Sequence, residues 1–425
     1  MRASISVARP LWIGLIGLAL TLFCGSAWAQ QQTRYVVTDL GTLGGSFSLA
    51  YGINNRGQID GFSTLPGDGA THSFVIQNGV MTDLGTLGGP NSLSFTGMNN
   101  RTQVPGTAEM SLPDPNGEDF CGFGTHLVCL GFIWQNGTMS PLEALGGNNG
   151  QAAEVNQLGQ VAGYAETNTP DPGCPAPQVL QYRPVVWTNG AAQTLPLYKS
   201  DPEGAAFWIN DRGDVVGATG SCAAYDPRYG LPLAPQHAIL WRGGNPTDLG
   251  TLGGLVNNSA FAINDVGQII GASDLPGDTY QHAFFWQDGK MTDMGTLPGD
   301  VVSAAIGINN RGQVTGVSID ANGNIRAFLW QNGAMSDLND LVVPGTPLYL
   351  LHGFGINDVG QIVGFAFQTE TFEVHAFLAT PVNATSAAGG TNAASTKVSL
   401  PASARKQIER WLGAHRFLPG SAGSN

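Results

Sequence analysis

The sequence predicts an all-β chain folded as a seven-bladed propeller, four antiparallel strands to a blade. Three observations carry that prediction: a motif of the form Asn-x-x-Gly-Gln recurs seven times, each copy lies among runs that read as four short strands, and the two ends of the chain share one blade between them.

The motif starts at Asn54, Asn99, Asn156, Asn210, Asn264, Asn309 and Asn357, at intervals of 45, 57, 54, 54, 45 and 48 residues. Two copies depart from the pattern. NNRTQVPG has Thr102 where Gly is usual, and NDRGDVVG has Asp214 for Gln. Regular spacing of this size marks a stacked repeat.

Within the first unit, AYGIN reads as the first strand and NNRG as a turn. QIDGFS is the second strand, HSFVIQ the third and VMTDLG the fourth. Asn78-Gly79 joins the last two, because Asn and Gly tolerate the positive φ of a tight hairpin. The third-strand phrase returns at Leu130, Arg183, His237, His282, Arg326 and His375. A third phrase, TDLGTLGG or a decayed form, follows most units.

Unit seven supplies three strands, ending in HAFLATPV, and lacks a fourth. The spare copy stands at the other end of the chain, in YVVTDLGTLGG from Tyr35. An N-terminal strand completing the last blade closes the ring and removes the exposed edges of an open array.

With DLGTLGG, GINNRGQ and HAFFWQDG all present, the span 35–382 resembles the bacterial extracellular repeat family called HAF, after its His-Ala-Phe motif. The resemblance implies a secreted or surface-associated repeat protein and brings no catalytic residue with it. Units three and four depart most, with TLPLYKSD in place of the third phrase in unit four.

Outside the repeats, residues 1–29 read as a signal peptide. Arg2 and Arg9 precede an apolar run, Leu11–Phe23, and Ala27-Trp28-Ala29 precedes Gln30. Thirteen apolar residues are too few to span a bilayer, and no later run is a transmembrane candidate. The expected location is therefore secreted, extracellular or periplasmic. Removing 1–29 leaves 16 basic against 31 acidic residues, a net charge of −15, which argues against nucleic acid or anionic lipid as partners. Residues 383–400 read as a flexible linker rich in Ala, Gly, Ser and Thr. Residues 401–418 read as a short amphipathic helix or tail, with Ile408, Trp411 and Leu412 as its apolar stripe.

Recurrence governs how the tempting residues are read. His72, His237, His282 and His375 occupy one position in four units, with Arg183 and Arg326 as equivalents, so a structural role fits better than a metal site. The motif Asn residues suit capping of the inner hairpin through their side-chain oxygens; a ring of amides lining a channel is the alternative. Trp134, Trp187, Trp241, Trp286 and Trp330 read as packing between blades. The acidic turns at Asp68, Asp274, Asp278 and Asp320 lack the spacing of a known calcium loop. No metal site or cofactor is expected, with calcium the one ion left open. No nucleophile elbow, zinc set or phosphate loop is present.

Function is then sought where the units disagree. From the Gly closing the first phrase to the Phe equivalent, units one, five, six and seven run 13, 13, 12 and 13 residues. Units two, three and four run 26, 22 and 22. Cys121, Cys129, Cys174 and Cys222 fall in or beside those three links, which suggests disulfides; Cys121–Cys129 within blade two and Cys174–Cys222 between blades three and four is the preferred pairing. The links form a candidate binding sector. Asp114, Glu118, Asp119, Phe120, Phe123 and His126 come from blade two, Glu166 and Asp171 from blade three, and Tyr225, Asp226, Arg228 and Tyr229 from blade four. The reading that follows is a monomeric, non-catalytic module binding an extracellular protein or glycan. A glycan hydrolase or lyase using Glu118, Asp119, His126 and Tyr225 is the alternative enzyme, and a structural surface protein is the third option.

Overall fold

The computed structural model describes residues 33–95, 97–222 and 234–382, together with Met1, Val398, Leu400, Pro401, Ala404, Arg405 and Ile408. Contacts separate 1–32 from 33–425 as two units, and the architecture belongs to the second. The expected signal peptide lies outside the described residues except for Met1.

In the first unit, strands form at Ser48–Ile53, Ile59–Thr64, Thr71–Gln77 and Val80–Asp83, close to the runs read from sequence. The same four-strand order recurs in seven sheets, each antiparallel between neighbours. Six of the hairpins joining third and fourth strands place two successive residues at positive φ, as at Asn78 and Gly79 (52° and 76°). That backbone matches the twist of the strands it joins.

Blade seven is composite. Its inner three strands are Leu348–Ile356, Ile362–Gln368 and Val374–Val382, and its outermost strand is Arg34–Gly41, pairing Arg34 with Val382 and Thr38 with Leu378. The N-terminal strand therefore closes the ring, as the strand accounting predicts.

The recurring third-strand His explains why two phrases travel together. His72 bonds Asp83, His282 bonds Asp293, and Arg326 pairs with Asp337, each joining the third strand to the Asp of the fourth. At the closure, His375 bonds Asp39 at 2.9 Å, so the same contact fastens the two ends of the chain. Blade four keeps the Asp of its fourth strand, Asp248, yet its His237 turns to Asp201, just before the blade's first strand at Glu203–Ile209.

Apolar clusters fill the spaces between blades, and Trp134, Trp187 and Trp241 are buried in successive ones. The second-strand glycines have a packing reason. A Cβ on Gly61 or Gly271 would run into a neighbouring carbonyl and into the third-strand ring, Phe74 or Phe284.

Candidate functional site

The motif Asn positions one mouth of the central channel. Each Oδ1 accepts the backbone N–H four residues on, and in five of the seven turns also the one two residues on, as Asn309 does from Arg311 and Gln313 at 3.0 Å. That caps the turn, while the Nδ2 of each does something more. Asn54 donates to the Asn99 carbonyl, Asn99 to Asn156, and so on through Asn210, Asn264, Asn309 and Asn357, whose Nδ2 returns to Asn54 at 3.1 Å. Capping and the amide ring, alternatives in the sequence, are two ends of the same side chain.

A second ring lies beside the first, and sequence reasoning missed it. The backbone N–H of each following residue donates to the side-chain oxygen of its neighbour in the next blade. It runs through Asn55, Asn100, Gln157, Asp211, Asp265, Asn310 and Asp358 before returning to Asn55, at 2.8–3.2 Å. The signal was available: an amide or Asp follows the motif Asn in all seven copies. Burial, and to a lesser extent the Asp265 charge, push the Asp211 carboxyl up, against a Gln157 N–H that favours its ionised form. These groups surround a cavity of about 140 Å³ floored by aliphatic side chains such as Ile53, Ile209 and Ile308.

The second-to-third-strand links leave their sheets at the end opposite these turns, so all seven begin and end at the other mouth. Two disulfides occur there, Cys121–Cys129 and Cys174–Cys222, in the expected pairing. Cys174 and Cys222 both lie against the Glu203 carboxylate, but their sulfurs are bonded to one another and offer no thiolate. Burial first, then the Asp171 charge, raise Glu203 to about 8.

The sector residues divide into scaffold and surface. Glu118 is fully buried, and its Oε1 accepts the N–H groups of Val179 and Leu180 from blade three at 2.6 and 2.8 Å. Gln178 donates to both Glu118 and Glu166, and Asn149 donates to both Glu166 and Asp114. Burial and the neighbouring Glu118 charge push the Glu166 carboxyl upward. Asp114 and Phe120 are buried as well, with Phe120 against Tyr164 at 5.7 Å between ring centres. Phe123 is half-buried and touches both the sector's core and the channel's apolar cluster.

At the surface, His126 is exposed and holds the Gly117 carbonyl through Nδ1, while Asp119 and Asp171 are half-buried. Tyr225, Asp226, Arg228 and Tyr229 lie outside the described residues. The three acidic turns are internally satisfied. Asp320, for example, accepts from the backbone of Asn322 and Asn324, and Asp68 from Ser46. Among the described residues, no helix is long and apolar enough to cross a membrane.

No protein-family model matches the chain, and no curated protein matches it in sequence. Solved structures do. An oligogalacturonate lyase in complex with manganese is 12% identical over 83% of this chain and 97% of that chain, with a TM-score of 0.50. The β-propeller domain of the Trilobed protease from Pyrococcus furiosus is 9% identical over 79% and 95%, with a TM-score of 0.46. A puromycin-hydrolyzing peptidase of Mycobacterium tuberculosis is 11% identical over 82% of this chain and only 56% of its own, with a TM-score of 0.45. At such identities the likeness describes the fold, a β-propeller.

Proposed function

We propose that this is a secreted, HAF-like binding module that takes an extracellular protein or glycan on the loop face of blades two to four, without chemistry of its own. The observation that carries this reading is the joining of the enlarged blade-two and blade-three links to one another and to the start of the blade-four link at Cys222. Glu118 reaches the blade-three backbone, Asn149 reaches Asp114, and Cys174–Cys222 ties blade three to blade four. Preorganised loops on a complete scaffold suit recognition, since little ordering remains to oppose binding. Asp119, His126 and Asp171, together with Tyr225, Asp226, Arg228 and Tyr229, are the residues proposed for contact.

Glycan cleavage by the sector's acids fits less well. Glu118 and Glu166 are both fully buried, and each of their oxygens accepts an internal hydrogen bond. A fully buried carboxylate held inward in this way is poorly placed to reach a glycosidic bond.

Screening residues 30–425 against glycan and extracellular-protein arrays, with calcium and with chelator, tests the proposal. A bound component should lose affinity about tenfold or more in Asp119→Ala/His126→Ala, as expected when contact residues are removed. It should be lost when the blade-two link is cut to the LPGDGA of blade one. Binding that survives both changes would place the site elsewhere.

A further inference from the structure

The described residues after Val382 contribute no strand to any of the seven sheets, and the ring is already closed by Arg34–Gly41. Yet Leu400, Ala404 and Ile408 are 7%, 1% and 4% exposed and belong to the channel's apolar cluster with Tyr51, Phe95 and Phe354. Ala404 and Ile408, both helical and four residues apart, share one face, and Leu400 precedes them. Ala404, Arg405 and Ile408 are helical, and the Arg405 N–H donates to the Pro401 carbonyl at 3.0 Å. Upstream, the Val398 backbone hydrogen-bonds the Tyr349 hydroxyl of blade seven.

What lies beneath is apolar. Aromatic residues on the inner strands, among them Tyr51, Phe207, Phe261 and Phe354, surround a remaining space of about 20 Å³, room for about one water. Phe123, from the disulfide-stapled loop of blade two, packs on the same cluster. A propeller without this segment would present those rings to solvent at the mouth where its longest loops stand.

We propose that the loop-side mouth of the channel is a helix-binding site, held shut by Leu400, Ala404 and Ile408 of the chain's own C-terminal segment acting as a tethered, displaceable plug. Residues 383–397, small and polar in composition, connect the last strand to the plug. Such a tether holds its end at an effective concentration of about millimolar. A free helix must therefore outcompete the plug, and the ligand class is an amphipathic helix with small and aliphatic residues at i and i+4 and an aliphatic residue ahead of its first turn. This inference stands whether or not the blade-two to blade-four surface binds a glycan or protein.

The test uses the full chain and a fluorescein-labelled peptide of residues 398–418 as probe. Ile408→Asp in the chain puts a charge in the seated face and should open the mouth, so that this variant binds the peptide at least about tenfold more tightly than the unaltered chain. A peptide carrying the same Ile408→Asp change should not bind either protein. To keep the proposal testable if Ile408→Asp fails to fold, a protease site is placed within 383–397 and cut after folding. The nicked segment should co-elute with the propeller and be displaced by excess peptide. Equal binding to both folded chains, or a nicked segment that separates freely on gel filtration, would overturn the proposal. Failure of the array screen with success here would reject the sector and leave the plug intact.

Discussion

At the Asn-turn mouth of the channel, two inter-blade hydrogen bonds are repeated in all seven blades and close as two rings. At the loop mouth, blade one ends its second strand in a short turn capped by Asp68, while blades two to four carry disulfides, buried acids and packed aromatics. Both mouths belong to the same strands. A ring contact has to satisfy both neighbours at once, so each blade must offer the same donor and acceptor. A link at the free end of a completed sheet has no such partner to satisfy and is able to grow.

The largest effect expected from that contrast concerns glycine. Gly271→Val puts a branched side chain into the Ser259 carbonyl and the Phe284 ring, where no rotamer escapes. It should cost more than about 4 kcal/mol and abolish the folded thermal transition. Gly117→Asn in the blade-two link, at φ +70° with open space around its Cβ position, should cost no more than about 1 kcal/mol. Similar losses at the two sites would mean that the loop is packed as tightly as the blades.

Within the loop mouth, the two disulfides should differ. Cys174–Cys222 closes 48 residues and Cys121–Cys129 closes 8. Loop-closure entropy alone gives about 4 and about 2.5 kcal/mol respectively. Serine pairs at each position, compared by calorimetry, should reproduce that order; a reversal would show that the blade-two loop depends on its bridge for more than chain entropy.

Acid and alkali should strike different regions. Burial pushes His352, stacked on Phe354 in blade seven, down to about 3. The unfolded chain then binds the extra proton, so stability is lost as pH falls from about 6.5 toward 3, at up to about 1.4 kcal/mol per pH unit. Glu203, raised to about 8 in the loop sector, works the other way, because the folded state holds its proton longer. Its contribution is lost as pH rises from about 4.5 to 8. His352→Phe should flatten the acid limb of a melting-temperature profile, and Glu203→Gln the alkaline limb. An unchanged profile in either variant would remove that residue from the account.

These expectations rest on how much each region disclosed in sequence. The blades were legible because their constraint repeats: six hairpins pose one φ requirement, met by Asn-Gly at four, Asp-Gly at one and Gly-Gly at one. The count of strands at Tyr35 and at HAFLATPV foretold the closure. The pairing of His375 with Asp39 did not stand out, because a single copy of the His-Asp contact cannot be told from chance until its three-dimensional repeats are seen. Glu118, Glu166 and Asp114 read as surface acids, since a carboxylate in a Pro- and Gly-rich link is usually solvated. Their donors, Val179 N–H and Asn149, sit in the next blade and leave no local pattern. At the C-terminus the apolar stripe drawn from Ile408, Trp411 and Leu412 captured one of the three buried residues described. Leu400 and Ala404 were overlooked because Ala carries little hydrophobic signal and Leu400 precedes a proline.

The smallest predicted effect tests whether the regular mouth is fully optimised. Six of the seven turns place Gly at the fourth motif position, with φ from +71° to +88°, and blade two places Thr102 there at +61°. A β-branched residue in this region costs about 1–2 kcal/mol. Against that, Thr102 Oγ1 donates to Gln58 Oε1 at 3.1 Å, across to blade one. A half-exposed bond of this kind returns about 0.5–1 kcal/mol, so strain should win. Thr102→Gly is expected to raise the melting temperature by about 1–2 °C. The reciprocal change is available in blade six, where a Cβ on Gly312 would lie 3.1 Å from the Oε1 of Gln268, in the same relation to the neighbouring blade. Gly312→Thr should lower the melting temperature by a similar amount. If Thr102→Gly destabilises and Gly312→Thr does not, the inter-blade hydrogen bond outweighs the backbone strain, and threonine is an equal solution to the turn.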